Sequence, residues 1–263
     1  MDKGVVARID ARLEDIRQNQ HVSIPLAVES GSRAWGFPSP DSDYDCRFIY
    51  MQRESEYLSL WPRRDVIETP LDDVLDVNGW DLSKALKLLL KGNATVIEWL
   101  TSPISYRTDP LFRDEFLVLA RRVTDRSLIG RHYLHLGERQ RRTYFGDGKA
   151  VAQKKIFYAL RPAAALRWLR YHPEDAVPPM HFPTLLAECD PPHDLKDIVA
   201  ELLARKASTR ELGKESLPKL IGQFIDAEFQ HARSSYEATN PAFPRYSRDR
   251  CNDFFISMLK RGG

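Results

Sequence analysis

Apolar positions Val6, Ile9, Leu13 and Ile16 follow one another at intervals of three and four, which aligns them on one face of a helix over residues 5–18. The period then changes. Residues 23–28 (SIPLAV) form a short apolar run that leads to a Gly-Ser pair, the pattern of a buried strand entering a turn. Residues 44–51 (YDCRFIYM) alternate in part and are rich in aromatic and β-branched side chains, which predicts a second strand. Residues 65–69 (DVIET) and 73–77 (DVLDV) predict two shorter ones, and Asn78-Gly79 reads as the turn that follows. Over 81–91, Leu82, Leu86, Leu89 and Leu90 fall on one helical face and Lys84, Lys87 and Lys91 on the other, with Asp81 placed as the N-cap. A short helix is expected over 95–100, stopped by Pro103.

After about Thr108 strand signals nearly vanish. The remainder reads as helices, one over about 150–171 and others near 195–206 and 216–233, separated by loops at 172–183 and 189–194. Pro241 and Pro244 mark a loop before an apolar end, FFISML. Strands packed with helices and then helices alone imply an α+β fold with an all-helical C-terminal part. The expected division is 1–120 and 121–263, around a cleft.

Composition adds limits. At 263 residues, 43% of them hydrophobic and 29% charged, the chain can bury a sizeable core. No apolar run approaches the roughly 20 residues of a membrane span, and charges interrupt every apolar stretch of the N-terminus, so neither a span nor a signal peptide is expected and the chain reads as cytoplasmic. Cys46, Cys189 and Cys251 form no CxxC pair, which argues against a disulfide framework or a cysteine-built zinc site. The net charge of +2 is unevenly spread: residues 121–170 hold thirteen Lys and Arg against three Asp and Glu. That segment is a candidate surface for a triphosphate or a nucleic-acid backbone.

The chemistry concentrates in residues 30–50, SGSRAWGFPSPDSDYDCRFIY. A strand ends at Gly31 and Ser32, and Asp43 and Asp45 stand at the mouth of the next strand. Residues two apart in extended chain share a face, so both carboxylates can serve divalent ions, and hard carboxylate oxygens suit Mg²⁺. Gly31 lets the backbone approach a phosphate, and Ser32, opening a helical turn, can aim its N–H and hydroxyl at the same group. A third carboxylate is sought in DVLDV, where Asp73 and Asp76 point to opposite faces; Asp76 is chosen because Asp73 sits where a solvated turn is expected. On the helix over 150–171, Lys154, Tyr158 and Arg161 fall at i, i+4 and i+7 on one polar face, beside an apolar stripe of Phe157, Leu160, Ala164 and Trp168. These three can grip phosphates and stack on a base, with Lys155 as the alternative ligand and a kink expected at Pro162.

The pair GS at 31–32 followed by DYD at 43–45 resembles the signature of the DNA polymerase β superfamily of nucleotidyltransferases. More narrowly, ESGSRAWGFPSPDSDYDCRFIY, DVNGWDLSKALKLL, GNATVIEWLTSP and KKIFYALRPAAALRW, four blocks in order over about 24–170, are similar to a predicted nucleotidyltransferase family related to RlaP, associated with RNA repair. The resemblance implies a minimal nucleotidyltransferase fold, a small mixed sheet with helices, and a helical C-terminal part. It implies two-metal catalysis with Mg²⁺, or Mn²⁺ in its place, a nucleoside triphosphate as substrate, and an acceptor that is an RNA end, a protein or a small molecule. By position, Gly31 and Ser32 would hold the triphosphate, Asp43 and Asp45 would bind the metals, and Asp76, or else Asp73, would complete the triad.

Each feature has a plainer reading beside it. A DSDYD string taken alone is more often a surface turn than a metal site; the preceding strand and the GS pair change that balance. Trp35 and Phe37 suit a loop packed on the core, Trp80 and Trp99 suit the core itself, and Lys84 and Lys87 suit a solvated face. His181, Cys189 and His193 lack a zinc spacing, and Arg139, Arg141 and Arg142 face a nucleic-acid backbone or nothing. The function expected is transfer of a nucleoside monophosphate to an acceptor hydroxyl, the RNA end favoured. The rival is a non-catalytic nucleotide- or RNA-binding regulatory module.

Overall fold

The structure, a computed structural model, describes residues 1–61, 63–72, 74–146, 148, 150–208, 213–236 and 244–262. Helix α1 (Lys3–Asn19) begins where Asp2 accepts from the N–H groups of Gly4 and Val5, and it buries Ile9, Leu13 and Ile16, three of the four positions predicted to line its face. There follow β1 (Ser23–Ser30), the single turn α2 (Gly31–Ala34), β2 (Tyr44–Met51), α3 (Glu54–Tyr57), β3 (Val66–Glu68), β4 (Leu75–Asp81), α4 (Leu82–Leu90), α5 (Ala94–Thr101) and β5 (Ser105–Thr108). The strands form one mixed sheet in the order β3-β4-β2-β1-β5. β2 and β4 run parallel and the other neighbours antiparallel.

Alternation sorts the side chains onto two faces. Tyr44, Cys46, Phe48, Leu75 and Val77 pack beneath α1, whereas Leu26, Val28, Ile49 and Met51 meet the residues of α4 and α5 on the other side. Two elements depart from expectation. β5 was not foreseen: it is a four-residue edge strand of Ser, Tyr, Arg and Thr with no apolar run. β4 does not turn at Asn78-Gly79 but continues to Asp81. Gly79 is there for space, since a Cβ would lie 2.1 Å from the Phe48 ring. Asp81 then caps α4 as predicted, accepting from the Ser83 N–H at 2.8 Å.

The second half runs α6 (Pro110–Val123), α7 (Arg126–Tyr144), β6 (Val151–Ala152), α8 (Gln153–Tyr171), α9 (Phe182–Glu188), α10 (His193–Ser208), β7 (Lys214–Glu215), α11 (Lys219–Tyr236) and α12 (Arg245–Gly262). Among the described residues its regular structure is helical apart from the two-residue ladder of β6 with β7. α8 is buried around most of its circumference from Ile156 to Leu169, because α7, α9 and α11 pack around it, and it continues through Pro162. α12 returns to lie on α4 and α6. The larger apolar cluster is therefore continuous from Leu26 and Val28 through Phe116 and Phe157 to Phe229 and Met258. No described helix is long and apolar enough to cross a membrane.

Candidate active site

β1 ends where β2 and β4 begin, and the candidate residues meet at that edge. Ser30 pairs with Asp45 across β1 and β2, and Asp45 with Asp76 across β2 and β4. With Tyr44, Cys46, Leu75 and Val77 drawn under α1, Asp45, Arg47 and Asp76 must point to the opposite face. Gly31 makes the turn out of β1 at φ +70°, and a Cβ there would lie 2.3 Å from Asp45 Oδ2. The Asp45 carboxylate thus rests in a notch that only glycine leaves open. Ser32 donates to Ser42 Oγ at 3.0 Å, and Arg33 straps the loop by donating to the carbonyls of Ser42 (2.6 Å) and Asp43 (3.0 Å). The Arg33 guanidinium lies over the Tyr44 ring, 3.9 Å from its centroid.

These residues open onto a cavity of about 400 Å³, where Gly31, Ser32, Asp43 and Asp45 face Lys154 and Tyr158 of α8. Asp41 also lines it and holds Lys154 Nζ at 2.8 and 2.9 Å. Lys155, the alternative ligand, lies instead between the rings of Tyr144 and Tyr158, 4.8 and 4.7 Å from their centroids. Arg161 does not reach this cavity. It is buried, its Nη2 is 2.6 Å from Glu98 Oε1, and its guanidinium lies 4.7 Å from the Trp35 ring centroid. The cause is the burial of α8: a face spanning seven residues passes from the rim of the cavity into the interior.

Asp76 is tied to its neighbours. Arg47 Nη2 lies 2.6 Å from Asp76 Oδ2 and 3.1 Å from Asp45 Oδ1, and Asn78 donates to the other Asp76 oxygen. Among the described residues no group of three His, Cys, Asp or Glu is close enough to hold one metal ion. Asp73, the other candidate for the third carboxylate, lies outside the described residues. Arg47 engages Asp45 as well as Asp76; Asp43 and Asp45 line the cavity with oxygens suited to a hard divalent cation, and Asp76 does not line it.

Burial is the main influence on the Asp45 carboxyl and raises it above the usual range; Arg47 opposes this, and the charges of Asp76 and Asp43 add to it. Glu29 lies behind Asp45, fully buried, accepting from the Asp45 N–H at 3.0 Å and from the Tyr106 hydroxyl. Burial pushes its carboxyl from the ordinary 4.5 to about 7. Tyr158 is likewise raised, by burial and then by Asp45. Glu29, Asp41, Ser42 and Arg47 escaped the sequence reading. Arg47 alone carried a signal, standing two residues beyond Asp45 on the same strand face.

Of the other flagged residues, one reaches the cavity and the rest lie elsewhere. Trp35 lines the cavity, while Phe37 is buried and stacks on Phe157 at 4.9 Å. Trp80 and Trp99 pack together at 4.1 Å. Lys84 pairs with Asp65 at 2.9 Å, and Arg141 pairs with Asp226. His181, Cys189 and His193 go separate ways, to Thr184, to the Leu186 carbonyl and to Asp197.

A family described as RlaP, RNA repair pathway DNA polymerase beta family, matches residues 5–257. The uncharacterized protein YcgL of Bacillus subtilis (strain 168) is 41% identical over 223 residues, which is 85% of this chain and 85% of its own. The family match thus includes the helical half that brings Lys154 and Tyr158 to the cavity.

Proposed function

This chain belongs to the RNA repair pathway DNA polymerase β family, and from that premise we propose that it is a nucleotidyltransferase acting on a nucleoside triphosphate and a hydroxyl at an RNA end. The observation that carries the proposal is the shared cavity: the turn at Gly31 and Ser32, the carboxylates of Asp43 and Asp45, and Lys154 with Tyr158 from a helix more than a hundred residues later. The acceptor oxygen attacks the α-phosphorus as its proton passes to water, and the bond to the bridging oxygen breaks so that pyrophosphate departs with that electron pair. Phosphoryl transfer asks mainly for placement and charge stabilisation, which this set of groups can supply.

Each group has a part. The N–H groups at Gly31 and Ser32 have no helical partners in the first turn of α2 and would hold phosphate oxygens. Lys154 would exchange Asp41 for the triphosphate. Asp43 and Asp45 would hold Mg²⁺, or Mn²⁺, which supplies neutralisation of the phosphates and activation of the acceptor hydroxyl. Asp76 would stand as the third carboxylate, with Arg47 keeping it and Asp45 in one register. An RNA end is favoured over a protein or small-molecule acceptor by the description of the family as one of an RNA repair pathway.

The test is release of pyrophosphate from each ribonucleoside triphosphate with Mg²⁺, with and without RNA, by wild type and Asp45→Asn. Asp45→Asn is expected to lower release by about a hundredfold or more while circular dichroism stays native. Unchanged turnover in that variant would remove Asp45 from the mechanism. The guanidinium of Arg47 between Asp45 and Asp76 favours one other reading, a nucleotide- or RNA-binding module. Its signature is triphosphate bound without pyrophosphate released, whatever acceptor is added.

A further inference from the structure

A second, smaller and more enclosed cavity of about 190 Å³ adjoins the first and shares Ser30, Trp35 and Tyr158 with it. Its remaining wall includes Glu98, Leu136, Gln140, Phe157 and Arg161. A cavity of roughly 150 Å³ accepts one benzene ring, so this space suits one flat ring system rather than an extended chain. The walls are aromatic, with Trp35 and Tyr158 edge-to-face at 6.0 Å.

The polar atoms here are incompletely paired. Trp35 Nε1 is buried without a hydrogen-bond acceptor among the described residues, whereas Arg161 Nη2 lies 2.6 Å from Glu98 Oε1 and is neutralised by it. Glu98 is itself steadied by the Tyr133 hydroxyl at 3.1 Å. A buried donor left open is costly, and it marks a place where an acceptor belongs. A flat ring that carries acceptors at its edges and connects to phosphates in the neighbouring cavity is a nucleobase.

We propose that this inner cavity seats the base of the nucleoside triphosphate, with Trp35 Nε1 donating to a base acceptor, Gln140 and the Arg161–Glu98 pair in the surrounding wall, and Tyr158 standing between base and phosphates. This rests on the nucleotidyltransferase reading and adds to it the residues that choose the base. Arg161 thereby belongs to the wall around the base rather than to the phosphates.

The test compares binding of the four ribonucleoside triphosphates with binding of inorganic tripolyphosphate, which has no base, by calorimetric titration with Mg²⁺. Wild type is expected to bind at least one nucleotide roughly tenfold or more tighter than tripolyphosphate, as aromatic stacking of a base would give. Leu136→Trp, which fills the cavity, is expected to bring that ratio close to one. Gln140→Ala, a milder change on the same wall, guards against a tryptophan variant that misfolds and is expected to lower the ratio roughly threefold. Nucleotides bound no tighter than tripolyphosphate by wild type, or a ratio unaltered in the folded variants, would overturn the base site while leaving the phosphate site standing. Binding of neither ligand by wild type would overturn the nucleotidyltransferase reading, and the base site with it.

Discussion

Glu29 is enclosed on the α1 side of the sheet behind Asp45, and its ionised form is disfavoured there. Because its folded pKa is raised, the unfolded chain gives up this proton first as pH rises. The folded state is therefore penalised progressively from about 4.5 to about 7, and not below that window. Glu29→Gln keeps the shape and lacks the charge. Relative to wild type it should gain about 2–3 kcal/mol between pH 5 and pH 8, read from urea unfolding at both. An equal difference at the two values would show that Glu29 titrates normally. Gly31 sets a second residue-scale test. Gly31→Ala places a Cβ against Asp45 Oδ2 and forces an L-residue to φ +70°. It should cost about 1–2 kcal/mol of stability and, by displacing the carboxylate, roughly a hundredfold in pyrophosphate release.

At the scale of elements, β4 carries Asp76, the proposed third carboxylate, near one end and Asp81, at the head of α4, at the other. Asp81 is buried, capping Ser83 and accepting from the Tyr57 hydroxyl at 2.7 Å. Asp81→Ala removes the cap and strands that hydroxyl, so the urea midpoint should fall by the equivalent of about 2–3 kcal/mol. Pyrophosphate release per folded molecule should stay as in wild type. The elements whose hydrophobic period is regular were legible: β2 runs over the predicted residues 44–51, and α1 and α4 fall within two residues of their predicted ends. β5 was not, because a short polar edge strand has no period to read. The end of β4 was hidden by Asn78-Gly79, a turn dipeptide locally, whose glycine answers to the Phe48 ring of the neighbouring strand. At the site, periodicity placed Lys154, Tyr158 and Arg161 on one helical face. How deep each lies depends on what packs around α8, which spacing does not encode.

At the scale of the whole molecule, the apolar cluster crosses the expected boundary near residue 120 without a break, and α12 closes on α4 and α6. This continuity predicts one cooperative thermal transition, with far-ultraviolet dichroism and tryptophan fluorescence changing together. Two separated transitions would instead support a division into 1–120 and 121–263. The parallel pairing of β2 with β4 has a further consequence. No tight turn sets the register of parallel strands, yet a slip of one residue would bury Asp76 and expose Leu75 and Val77. The greasy residues on either side of each aspartate thus act as a parity check on its aim. Insertions of any length between β2 and β3 leave that parity intact, so the crossover is free to grow or shrink over generations. A single inserted residue between Leu75 and Val77 would break the core and the chemistry at one stroke.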